Sequence, residues 1–250
     1  MSKNTRQLPI AEAQIRLREA AEGEQSRTVE GYGAVFGVRS VNLCPWSSSR
    51  EVYEVMEPGC IDADLIKRSD VVFNYCHDNS AILGRSRNGE GTLKLSVDEK
   101  GLRYQCDLPN TEQANAILEG IKRGDIYGNS FCFTDDEEDT ENGVSYERMA
   151  EKSADGKEVW LRHVKRCTGL YDVSIVVTPA YPDAEISQRE LGEKAEKQID
   201  AIIKREADNA ASETSTAEQE AAAAAEREAH AARVAYMNNE TDIMELEGGM

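Results

Sequence analysis

The chain contains no C-x-x-C pair. Its six cysteines, Cys44, Cys60, Cys76, Cys106, Cys132 and Cys167, stand well apart, whereas zinc sites draw on closely spaced ligand pairs. That spacing predicts small, buried, reduced thiols and implies no metal. Long apolar runs are missing too. Nothing approaches the roughly 20 apolar residues of a membrane span, and the opening stretch MSKNTRQLPIAEAQ has no apolar centre of the kind a signal peptide carries. A soluble, cytosolic protein with no membrane partner is expected. Aromatic residues are scarce, at 6% of 250 residues, and mean hydropathy is −0.59, so the core must be concentrated in part of the chain. Positive charge is short as well: 29 Lys and Arg face 47 Asp and Glu, a net −18. Such a field repels phosphate backbones and anionic lipid, which argues against a nucleic-acid partner. Only RHVKR, residues 162–166, offers a local basic cluster.

What is present changes character near residue 188. Up to that point short apolar runs alternate with turn signals. QIRLREA and RTVEGYGAVFG read as two strands, and EVYEVMEPG as a third stopped by Pro58-Gly59. DVVFNYCHD, GTLKLSVDEKG and LRYQCDLP follow, the last two split by a hairpin signal at Glu99-Lys100-Gly101. TEQANAILEGIKRGDI is helical: Thr111 can cap it, Ala114, Ile117, Leu118 and Ile121 recur at helical spacing, and Gly124 stands where a C-cap glycine belongs. YGNSFCF and LYDVSIVV are again strands. The pattern predicts an α+β domain over residues 14–188, a curved antiparallel sheet or β-barrel core with flanking helices, preceded by an arm of residues 1–13. Its acidic stretch over residues 134–160 reads as a solvated hairpin insertion. Aligned as a calcium loop on Gly143, that stretch puts Met149 at the twelfth position, which needs a bidentate carboxylate. The calcium reading fails. Residues 189–250 form an Ala/Glu-rich tail; from residue 190 on it holds 15 acidic and 6 basic side chains, half of the net charge. It is expected to be helical or partly disordered.

Few residues could do chemistry. On a strand through VVFNYCH, Val71, Phe73, Tyr75 and His77 would share one face, and Cys76 would point away from His77. Alone, such a histidine is more often an edge or turn residue than a catalyst. A base needs a nucleophile within about 3 Å, and GNSFCFTDD supplies a candidate. Phe131 and Phe133 would anchor one face in the core, leaving Ser130 and Cys132 on the other, behind the permissive pair Gly128-Asn129. In LYDVSIVV, Asp172, Ser174 and Val176 share a face. An acid entering an apolar strand is costly to bury unpaired. A charge-assisted bond to a histidine would fix its tautomer, and pairing with Lys165 or Arg166 is the equal alternative. His163 is the other available histidine, while His230 lies in the alanine-rich tail.

These residues carry a resemblance. GYGAVFG, EPGCID, NYCHD with LGR, GTLKLSVDEKGL, DLPNT, IKRGDIYGNSFCF and LYDVSIVVTPAYPDA, in that order, resemble the prohead maturation proteases of tailed phages. Those serine peptidases are similar in fold to the herpesvirus capsid protease, assemblin. The resemblance spans residues 14–188. It implies His77 as base and Ser130 as nucleophile, with Asp172 as the preferred third member and His163 as its rival, because the herpesvirus relatives use a second histidine. Two departures stand out: Cys76 occupies a position where the family commonly has asparagine, and Asp172 replaces the usual glutamate. Arg85 and Arg166 could assist an oxyanion, although a surface role is the default for both. The resemblance further implies cleavage of scaffold and/or major capsid protein inside the prohead, in the bacterial host cytoplasm, with self-cleavage, a possible homo-oligomer and no cofactor. The alternative is an inert assembly protein that retains the protease fold.

Overall fold

The computed structural model describes residues 4–7, 15–18, 26–177, 189–210, 220 and 223–228. The chain divides into two compact units, Met1–Glu196 and Lys197–Met250. The first is α+β, with thirteen strands and few helices among its described residues.

Six strands build the sheet that carries the site. They are β1 (Asn4–Gln7), β10 (Gly128–Asp135), β13 (Cys167–Val176), β5 (Asp70–Tyr75), β6 (Asp78–Arg87) and β7 (Glu90–Gly91), paired in that order. A second sheet orders β2 (Arg16–Leu17), β3 (Thr28–Val35), β9 (Gly101–Asp107) and β8 (Leu93–Val97), and a third orders β11 (Val144–Lys152), β12 (Glu158–Val164) and β4 (Arg50–Met56). The sheets are open, and among the described residues no closed barrel forms. Nor are they purely antiparallel, as the sequence pattern predicted: β13 pairs parallel with β5, and β12 parallel with β4. Parallel neighbours require long crossover connections, and a single strand's periodicity carries no record of its partner's direction.

Local chemistry explains the elements. Helix α1 (Ala63–Arg68) is capped by Asp62, whose carboxylate accepts from the Leu65 amide at 2.6 Å. Helix α2 (Glu112–Arg123) starts at Thr111, buries Ala114, Ile117, Leu118 and Ile121, and stops at Gly124 in the left-handed conformation, φ 78°. Asp98 closes the β8–β9 hairpin by accepting from the amides of Lys100 and Gly101. One core joins the first two sheets and both helices, with Phe73, Phe131, Phe133, Leu170 and Val173 meeting Val29, Leu102, Tyr104, Leu65 and Ile117. The two sheets approach so closely that a Cβ on Gly33 would lie 2.9 Å from a Val173 methyl.

The stretch read as a solvated insertion contributes β11 and the first part of β12, and β12 is largely buried. Arg162 at its centre has no exposed side-chain surface and donates to Glu54 (2.5 Å), Asp135 (2.6 Å) and Glu137 (3.0 Å). Burial pushes the Asp135 carboxyl up from its ordinary value, against the pull of Arg162. The arginine thus ties β12 to the last residue of β10. Of the expected tail, residues 189–210, 220 and 223–228 are helical, and the remainder, including His230, lies outside the described residues. Within the first unit the beginning of this helix buries Leu191 and Ala195, and Cys44 Sγ–H donates to the Gly192 carbonyl at 3.3 Å. No described helix is long and apolar enough to cross a membrane.

Removing one partner of a buried ion pair leaves its counter-charges uncompensated. Arg162→Ala is expected to destabilise the fold by about 3–5 kcal/mol, read as a lowered urea midpoint. The half-exposed Arg166, paired with Asp136 and Asp139, should be replaceable by alanine with little change in that midpoint.

Candidate active site

The nucleophile candidate rides on β10, all eight residues of which are buried. Phe131 and Phe133 stack with ring centroids 5.0 Å apart and sit in the shared core, so alternation turns Ser130 and Cys132 to the opposite face. Both ends of the strand are held. Asn129 accepts from the Tyr104 hydroxyl at 2.9 Å, and Asp135 is gripped by Arg162.

Pairing register then brings the acid alongside. Ser130 stands opposite Ser174 and Cys132 opposite Asp172 across the antiparallel β10–β13 ladder. On the far side of β13 the parallel ladder sets Ser174 beside Asn74 and Asp172 beside Val72. Ser130, Ser174 and Asn74 thus form one row over three strands on one face.

His77 is not in a strand, contrary to the sequence expectation. β5 ends at Tyr75, Tyr75 pairs with Asp78, and Cys76 and His77 form a two-residue hairpin loop with φ of 53° and 59°. Positive φ at both central residues is the requirement of a type I′ turn, normally met by Asn-Gly rather than Cys-His, which is why the sequence concealed it. The Cys76 amide donates to the Ile175 carbonyl at 2.9 Å, anchoring the turn to β13. An extended His77 would have shared the face of Tyr75 and Phe73; the turn delivers its imidazole to the face of Asn74 and Ser174.

There His77 Nδ1 lies 2.9 Å from Asp172 Oδ1, and His77 Nε2 lies 2.7 Å from Ser130 Oγ. A carboxylate can only accept, so Nδ1 carries the proton, Nε2 is bare, and Ser130 Oγ–H donates to it. That arrangement can take the serine proton into the imidazole while the carboxylate stabilises the resulting cation. His77 and Asp172 keep 26% and 16% of their side-chain surface exposed. Ser130 has none, and β1 lies along β10 with Gln7 opposite Ser130. A substrate carbonyl therefore reaches Oγ only through a local opening.

The other candidates lie elsewhere. His163 is clamped between Glu57 (2.6 Å from Nδ1) and Glu147 (3.1 Å from Nε2), so both its ring nitrogens are engaged away from His77. Arg85 makes a two-pronged pair with Asp70 at 2.6 and 2.7 Å, and Arg166 pairs with Asp136 and Asp139. Cys132 shares the face of Ser130 and is buried. No three His, Cys, Asp or Glu side chains come together as a metal-ligand set among the described residues. Sequence reasoning assigned no role to Ser174 and Asn74, both fully buried and both at the site: Ser174 Oγ lies 3.0 Å from His77 Nδ1 and 3.1 Å from Asp172 Oδ1, and also contacts Asn74 Oδ1. The signal available in the sequence was alternation, which put Ser174 on the face of Asp172.

Asp172 lies beside His77, and His163 lies between Glu57 and Glu147. Asp172→Asn should slow the reaction of Ser130 with a fluorophosphonate by about 10³- to 10⁴-fold, because the amide favours the wrong tautomer of His77. His163→Gln should leave that rate within about threefold of the parent, since truncating a remote side chain removes no group from the reacting site. Mass-spectrometric labelling of residue 130 reads both.

Comparison with curated proteins and with solved structures found no match. A family model does match, over residues 12–198: that of the caudovirus prohead serine proteases. Its span covers every strand from β2 to β13 together with His77, Ser130 and Asp172, and on that match the chain belongs to the caudovirus prohead serine protease family.

Proposed function

We propose that this protein is the serine endopeptidase of a tailed-phage prohead, with Ser130 as nucleophile, His77 as general base and Asp172 as the group that orients His77. The single observation that carries the reading is the continuous chain from Asp172 Oδ1 through both ring nitrogens of His77 to Ser130 Oγ, at 2.9 and 2.7 Å. It occurs within a chain whose family is one of serine proteases of the prohead. His77 accepts the Ser130 proton as Oγ attacks a peptide carbonyl. The imidazolium then protonates the leaving amine, an acyl-enzyme forms, and water attacks it with His77 again as base.

The substrates are the scaffold and the major capsid protein, met inside the assembling prohead in the host cytoplasm. The domain of residues 14–188 performs the cleavage, and the acidic tail from residue 189 serves as the segment that is packaged with the scaffold and removed by self-cleavage. Two features support a latent enzyme that becomes active on assembly: the full burial of Ser130 and the strand β1 laid beside it. A protease made in the cytoplasm ahead of its compartment benefits from a closed site. The competing reading, an inert assembly protein with a protease fold, is disfavoured by the intact hydrogen-bonded arrangement, since a protein relieved of catalysis has no need to hold His77 in a left-handed turn costing about 1–3 kcal/mol.

Intact mass followed over time, for the full chain and its Ser130→Ala variant mixed with capsid and scaffold proteins, tests this. Cleavage of the partners and loss of the tail are expected with the parent alone, as is fluorophosphonate labelling at residue 130. Equal cleavage by both chains, or none by either, would overturn the assignment.

A further inference from the structure

Asp172 and His77 are not alone in their interaction. Ser174 Oγ lies within hydrogen-bond distance of three site atoms: His77 Nδ1 (3.0 Å), Asp172 Oδ1 (3.1 Å) and Asn74 Oδ1. A serine has one proton to give. The position of that proton depends on Asn74, whose amide is buried at 0% exposure and whose Nδ2 has no hydrogen-bond partner. An orphaned buried N–H is costly, and orphaned donors are rarer in proteins than under-satisfied carbonyls. The two amide orientations place heavy atoms alike and differ only in hydrogen bonding. With Oδ1 toward Ser174, the hydroxyl proton is drawn to Asn74 and Nδ2 is stranded. With Nδ2 toward Ser174, the amide donates to Oγ and the hydroxyl proton is released to Asp172.

We propose that Ser174, oriented by Asn74, is a positioning residue for the reaction: Asn74 Nδ2–H donates to Ser174 Oγ, whose O–H donates to Asp172 Oδ1, which also receives the proton of His77 Nδ1. The inference rests on the assignment of His77 as base. Two donors converging on one carboxylate oxygen leave Asp172 a single rotamer, and that rotamer keeps the imidazole aligned with Ser130. The register makes this possible, since Asn74, Ser174 and Ser130 lie in one row of the sheet. It also accounts for an aspartate on β13. Asp172 is two residues from Ser174 on the same strand and face, and its short side chain is met by Ser174 Oγ at 3.1 Å.

The test uses the full chain, its Ser174→Ala and Asn74→Ala variants and the double variant, with a fluorophosphonate as probe. The maximal inactivation rate, which reports proton removal from Ser130, should fall about 10- to 100-fold in Ser174→Ala, as expected for loss of a hydrogen bond to a charged group. The probe's half-saturation concentration should stay within about twofold, because such a loss acts on the chemical step and not on binding. If the two residues act as one chain, the double variant should be no slower than about threefold below the worse single variant. An inactivation rate unchanged in Ser174→Ala, or losses that multiply in the double variant, would overturn the proposal. Failure of the base assignment looks different: His77→Ala would then label at the parental rate. In that event the proton on His77 Nδ1, followed by ¹⁵N-histidine NMR in the Ser130→Ala chain, still decides. Its resonance should shift when Ser174 becomes alanine, and an unmoved resonance would end the idea.

Discussion

Two strands far apart in the chain lie parallel at the centre of the main sheet, and the site depends on that pairing. β5 and β13 run side by side with Asn74 beside Ser174 and Val72 beside Asp172, so residues 95 positions apart in sequence reach bonding distance. Parallel pairing is what puts the turn after β5 at the level where β13 presents its acid and where β10, antiparallel on the other flank, presents its serine. A slip of one residue in either ladder would turn Ser130 or Asp172 to the opposite face. The Cys76 amide bonded to the Ile175 carbonyl carries the same registration into the turn itself. Strain at two left-handed non-glycine residues is held in place by ladders on either side.

The strand that carries Ser130 is positioned by polar groups as much as by its phenylalanines. Tyr104 holds Asn129, just before Ser130, and Arg162 holds Asp135, five residues beyond it. Arg162 is a costly device: a wholly buried guanidinium has to be matched by carboxylates, and here Glu54, Asp135 and Glu137 supply them from β4, β10 and the turn that follows β10. Its return is orientation, because a planar fork fixes three groups at defined angles in a way that apolar contacts cannot. The same network joins the third sheet to the one that carries the site.

Closed packing around Ser130 and the demands of peptide cleavage pull in opposite directions. A serine with no exposed surface next to a partly exposed histidine describes a site assembled from within and opened from one side. Burial of Ser130 strengthens its hydrogen bond to His77 and keeps water from the hydroxyl. For a peptidase proposed to act only inside a closed particle, such restraint suits the task.

Much of this was legible in the residues, and the reason is periodicity. Phe131 and Phe133 against Ser130 and Cys132 revealed which face of β10 carries Ser130; Thr111, the apolar stripe and Gly124 marked α2; and the ordered motifs pointed to the family. The charge of the tail was plain from composition. What periodicity cannot carry is the identity and direction of a strand's neighbour, so the mixed sheets and the open architecture were hidden. Nor could it reveal a type I′ turn formed by Cys-His in place of Asn-Gly, and His77 was therefore read on the wrong face. Arg162 looked like part of a local basic cluster, because burial of a charge is decided by which carboxylates the fold brings to it. Ser174 and Asn74 belong to the same class: one hydroxyl and one amide, ordinary in sequence, acquire a place at the site only when two ladders set them in a row beside His77. The sequence by itself determined which side chains were available and which face each strand would offer. Tertiary structure decided which of them meet, since hydrogen bonds of 2.7 to 3.1 Å depend on register between distant strands, and register is a property of pairs.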